Sequence, residues 1–130
     1  MKMLAFILIL NLFALAAEAC PVINGTYARG DQNLKVMFAL TTREENGVNV
    51  YGFGSGWENI PADGEVHAVP FGQKTGRASV ACSGNSLVLT TAADDMETTV
   101  ISFTEAADGA LDVAASGDYG KIINGRFRKE

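Results

Sequence analysis

Histidine occurs once in this 130-residue chain, at His67, and cysteine only twice, at Cys20 and Cys82, too far apart for the C-x-x-C spacing of a zinc site. A zinc or other metal centre is therefore not expected, and no motif asks for a cofactor. Nucleophilic catalysis has only His67 to serve as an imidazole base. No G-x-S-x-G elbow is present, and Gln32, Phe71 and Asp118, not serine, stand three places before Lys35, Lys74 and Lys121. Carboxylates converging from separate strands are the one hydrolytic arrangement that spacing leaves open; the chain otherwise reads as non-enzymatic.

Positive charge is also scarce. Ten Lys and Arg against 15 Asp and Glu give a net charge of −5, and the basic residues are scattered apart from Arg126, Arg128 and Lys129. That leaves no basic stripe to follow a phosphate backbone, so nucleic acid is not an expected partner. The glycine-rich run Gly52 to Trp57 is not followed by Gly-Lys-Ser/Thr, which excludes a phosphate loop. Asp94, Asp95 and Glu97 lack the order of a calcium loop and read as a solvated turn.

Long apolar runs are missing except at the start. Lys2, the apolar stretch centred on Leu4 to Leu15, and Ala17-Glu18-Ala19 follow the pattern of a cleavable signal peptide. The stretch is shorter than the roughly 20 residues of a membrane-spanning helix. The expected organisation is a signal peptide over 1–19 and a single all-β domain over 20–130, exported to the periplasm or secreted. An oxidising compartment pairs an even number of thiols, so Cys20 and Cys82 are expected to form a disulfide closing a loop of about 60 residues. A second reading of Cys20 is the lipid anchor that a bacterial lipoprotein carries just after its signal. Ala17 and Glu18 match that pattern poorly.

From residue 20 onward the chain reads as short strands and tight turns. In 33–42, Leu34, Val36, Phe38 and Leu40 share one face while Lys35, Met37, Ala39 and Thr41 take the other, the period-two mark of a half-buried strand. Asn46-Gly47 then separates this run from 48–53, which predicts a hairpin over 33–54. The same grammar recurs in 78–82, 86–91, 97–105 and 111–116, with turns between, and helix is expected only in the leader. The fold expected is an antiparallel up-and-down meander of about eight strands closing into a small barrel, with a β-sandwich as the alternative. Ile23-Asn24-Gly25-Thr26-Tyr27 is echoed by Ile123-Asn124-Gly125-Arg126-Phe127, so pairing of the first and last strands is the expected closure.

The sequence Gly25-Thr26-Tyr27 near the start, a meander, and Arg126 near the end resemble the calycin group, to which lipocalins belong. In that group an Arg of the last strand packs across a Trp of the first element and covers the closed end of the barrel. The resemblance implies a barrel able to enclose one small ligand, with Tyr27 in the place of the Trp and Arg126 across it. The chain is shorter than a lipocalin and has no segment matching its C-terminal helix.

The stretch from Gly52 to Gly76 is punctuated by Gly and Pro, carries Trp57, His67 and Phe71, and is the least strand-like part of the domain. Loops bearing aromatics border binding sites. With the adjoining Tyr51 and Phe53 these residues are the candidate ligand contacts, although Trp57 also suits a barrel-end plug and His67 a satisfied strand histidine. The expected function is a non-enzymatic binding protein holding a small apolar ligand. The alternative is a structural or protein-interaction domain, such as an envelope component or secreted inhibitor, with a filled interior. An eight-stranded barrel permits either.

Overall fold

The computed structural model describes residues 20–31, 34–54, 56–117 and 120–130, and the expected signal peptide lies outside them. Between Ser86 and Ala92 every second residue, Leu87, Leu89 and Thr91, is buried, and the residues between are half-exposed. One face thus packs inward and the other meets water, and this alternation, repeated along the chain, curls the sheet around an apolar centre.

The described residues form ten strands: β1 Gly25–Asp31, β2 Leu34–Glu45, β3 Val48–Gly52, β4 Ile60–Pro61, β5 His67–Phe71, β6 Lys74–Ser83, β7 Ser86–Ala92, β8 Thr99–Glu105, β9 Leu111–Ala115 and β10 Gly125–Lys129. All adjacent pairs are antiparallel, in one sheet and not two, so the architecture is a nearly closed barrel and not a sandwich. The expected count of about eight is too low because the Gly- and Pro-punctuated stretch Gly52 to Gly76, the least strand-like part of the sequence, contributes both β4 and β5. Pro61 and Pro70 are tolerated there because both strands border the seam, where a missing amide donor costs no ladder bond. A single helical turn, α1 Gly120–Ile123, also corrects the expectation that helix is confined to the leader.

β1 and β10 do pair, Tyr27 opposite Lys129 and Ala28 opposite Arg128. That pairing does not close the barrel, however. The sheet runs β4-β3-β2-β1-β10-β9-β8-β7-β6-β5, so the ends of the chain meet in mid-sheet and the seam falls between β4 and β5. Hydrogen bonds cross the seam at both ends: the Gly64 amide donates to the Val80 carbonyl at 3.0 Å, and the Trp57 indole N–H donates to the Pro70 carbonyl at 2.8 Å.

A short strap, residues 20–24, closes one end. Cys20 is bonded to Cys82 at the end of β6, the Tyr51 hydroxyl donates to the Pro21 carbonyl at 2.5 Å, and Ile23 is fully buried. The strap ends against β2, where the Ile23 amide donates to Thr42 Oγ1, that hydroxyl donates to the Ile23 carbonyl, and the Thr42 amide donates to Asn24 Oδ1. Burial pushes the Tyr51 phenol above its ordinary value, against a smaller lowering from the Asn49 amide. Leu40, Val80, Leu87, Leu111 and Phe127 join Tyr27 and Tyr51 in a fully buried core, with Val36 and Phe38 half-buried beside it.

Arg126 does not pack across Tyr27. It is directed outward and grips its cross-strand partner Asp112 with two bonds, at 2.9 and 3.2 Å. The guanidinium that lies over a core ring is Arg29, 5.5 Å from the centre of Phe127. The Arg126 fork, followed by the charge itself, holds the Asp112 carboxyl below its ordinary value. The Ala110 amide does the same for Asp108, with help from Arg126 and Arg128. At Asp63, desolvation pushes the carboxyl up but is outweighed by hydrogen bonds from His67 and the Glu65 amide, so the net direction is down.

These depressed carboxylates bind fewer protons folded than unfolded. Their contribution is complete above the ordinary carboxyl range and is lost as pH falls through the folded values. The urea midpoint is therefore expected to decline below about pH 4. A midpoint that held constant to about pH 2 would contradict the assignment.

Candidate functional site

The connections after β2, β4, β6 and β8 gather with the strap at the closed end. The connections after β3, β5, β7 and β9 lead to the opposite end, where the interior is not filled. A cavity of about 290 Å³ opens there.

Its wall is built by the stagger of the strands. β2 pairs with β1 through Leu34 to Leu40 but with β3 only through Thr41 to Glu45, so the first half of β2 has no β3 beside it. The loop after β3 brings Phe53 and Trp57 to the same cavity as Phe38 of that half. It is held in a tight fold by the Phe53 amide donating to the Trp57 carbonyl and the Trp57 amide donating to the Gly54 carbonyl, both at 2.9 Å. Gly56 has φ +82°, and a Cβ there would come within 2.6 Å of the Pro70 ring. The left-handed backbone and the close approach of β5 both demand glycine at this point.

Phe53 and Trp57 reach the cavity from this loop, Phe71 from the end of β5, and Phe38 and Phe103 from the walls. Leu89, Ile101 and Val113 complete the sides, and Ile123 of α1 closes part of the rim. Phe38, Phe53, Trp57 and Phe71 are only half-buried, since each turns part of its ring toward the empty space. Among the described residues, the only polar side chains on the lining are Thr91 and Thr99, opposite one another on β7 and β8 and both buried. Charges stay outside, where Lys74 pairs with Asp95 at 3.5 Å and Arg77 with Asp94 at 3.4 Å. Arg29 steadies α1 by donating to the carbonyls of Ile122 and Asn124.

The structure thus brings together three of the five candidate contacts, Phe53, Trp57 and Phe71. Tyr51 is directed to the closed end and bonds Pro21, away from the cavity. His67 stands at the start of β5, where its Nε2 faces both Asp63 carboxylate oxygens at 3.1 Å, and it does not line the cavity. Alternation alone places Phe38, Leu89 and Val113 on inward faces but cannot say that their level of the barrel is hollow. Thr91 carried only the alternation of its strand and Ile123 only its place in the terminal echo, and neither these nor Thr99 pointed to a cavity. Arg126, too, stands outside the cavity.

Fold and cavity together define a small antiparallel barrel with one strapped end and one open, apolar end. No protein-family model matches the chain, and no curated protein or solved structure matches it either.

Proposed function

We propose that this protein is an exported, non-enzymatic binding protein that holds one small apolar ligand in the open end of its barrel, in the manner of a lipocalin-like container. The observation that carries the reading is the unfilled, almost wholly apolar cavity of about 290 Å³ beneath half-buried aromatic rings. Apolar surface left facing an empty space gains roughly 25 cal/mol for each Å² that a ligand covers. A cavity near 300 Å³ with a few polar groups is at the small end of ligand sites. The disulfide between Cys20 and Cys82 supports export to the periplasm or medium, because such bonds persist in oxidising compartments.

Fluorescence titration with N-phenyl-1-naphthylamine, a neutral dye that brightens away from water, tests the reading. One ring system can seat in the cavity and the other at its mouth. Saturable one-to-one binding is expected, weakened by about tenfold or more in Leu89→Trp, which fills the cavity from β7. A cooperative urea transition verifies that the variant folds, and Val113→Phe serves if it does not. Absence of saturable binding, or binding unaffected by filling the cavity, would overturn the proposal.

A further inference from the structure

Among the described residues, five of the twelve lining the cavity, Phe38, Phe53, Trp57, Phe71 and Phe103, are aromatic, in a chain that is 8% aromatic overall. They fall into two groups. The Phe103 ring lies 5.7 Å from Phe38 and 5.9 Å from Phe53, while Trp57 lies 6.1 Å from Phe71 across the seam. All three pairs are inclined to one another, so faces and edges are both presented to the space between, the arrangement in which a further ring stacks offset or edge-on.

Volume narrows the choice. An apolar cavity of roughly 150 Å³ accepts one benzene ring. By that measure about 290 Å³ corresponds to about twelve non-hydrogen atoms, enough for two rings and too few for a long acyl chain. Polarity narrows it again. Among the described residues no charged side chain lines the cavity, so a carboxylate or ammonium inside it would be desolvated without a partner. The rim cations Lys74 and Arg77 already face Asp95 and Asp94. The hydroxyls of Thr91 and Thr99 are groups that can rotate to donate or accept, and they suit one neutral polar substituent.

We propose that the ligand is a neutral two-ring aromatic molecule of about twelve non-hydrogen atoms, bearing one hydroxyl or carbonyl that meets the Thr91 and Thr99 pair. This rests on the reading of the cavity as a binding site.

Titration calorimetry with three probes tests it: 2-naphthol, 1-decanol of equal non-hydrogen atom count, and 2-naphthoate. 2-Naphthol is expected to bind one-to-one and about tenfold or more tighter than either competitor. Thr99→Val is expected to weaken 2-naphthol by about fivefold while leaving naphthalene, followed through the emission of Trp57, unchanged. If 1-decanol or 2-naphthoate bound as tightly as 2-naphthol, the ligand class would be wrong and the binding site would stand. The ligand class alone would also fall if N-phenyl-1-naphthylamine bound and 2-naphthol did not. If none of these compounds binds, both readings fall together.

Discussion

A chain that stops at Asn124 is expected to lose its cooperative unfolding transition altogether. β10 does not lie at an edge; it is the strand between β1 and β9. Deleting it cuts one sheet into two, β4 to β1 on one side and β9 to β5 on the other, and exposes two new unpaired edges. It also removes Phe127, which is fully buried 4.8 Å from the Phe38 ring and beneath the Arg29 guanidinium. Phe127→Ala alone is expected to cost about 3–5 kcal/mol. The whole domain has about 5–15 kcal/mol to lose. Denaturant titration followed by circular dichroism separates the cases: a shifted but cooperative transition for Phe127→Ala, and no transition for the truncated chain. A truncated chain that unfolded like the full one would mean that the barrel does not close between β4 and β5. In a barrel whose first and last strands formed the seam, the same deletion would only move the open edge by one strand.

That contrast marks how far the sequence could be read. The hairpin about Asn46-Gly47 was legible because both residues take positive φ, 53° and 81°, which the Asn-Gly pair accepts at little cost. The inward faces of β2, β7 and β9 were legible from period-two alternation, since a slip of one residue would turn Leu40, Leu87 or Leu111 toward water. The pairing of Cys20 with Cys82 was legible because two thiols in an oxidising compartment have one partner each. The seam was not. Its position depends on β4, only two residues long, and on β5, where a strand about His67 was legible but not its place at a sheet edge. The cavity shared that obscurity. Phe53, Trp57 and Phe71 could be suspected from an aromatic loop, but Tyr51 and His67 came with them, because sequence proximity does not say which end of a strand faces the hollow. Tyr51 is only two residues from Phe53, yet its hydroxyl serves the strap at the closed end. Arg126 misled for a related reason: one position along β10 from Phe127, it belongs to the outer face, and the cation over the core ring comes instead from β1.

Replacing both cysteines by serine is expected to lower stability by about 4 kcal/mol, the loop entropy released by a bond spanning a separation of about 60 residues. The bond spans 62 positions, and its location adds a second effect to that entropy. Cys20 begins the strap that ends on β2, on the β4 side of the seam, whereas Cys82 is the penultimate residue of β6, next to β5, so the disulfide ties the two sides of the seam together at the closed end. Once it is gone, the closed end of the seam is held by the Gly64 amide on Val80, and the Trp57 indole on Pro70 holds only the open end. The two effects have different signatures in amide exchange. A bond acting only on the unfolded chain lowers the protection of the slowest core amides in β7 and β8 and leaves local opening at Gly64 unchanged. A bond that also clamps the barrel raises local exchange at Gly64 well beyond the global change, because the strap then pulls away from β6 before the core opens. The second pattern is expected. A loss below about 1 kcal/mol with Gly64 protection intact would show that the strap, anchored by Ile23 and Thr42, closes the barrel without its covalent tie.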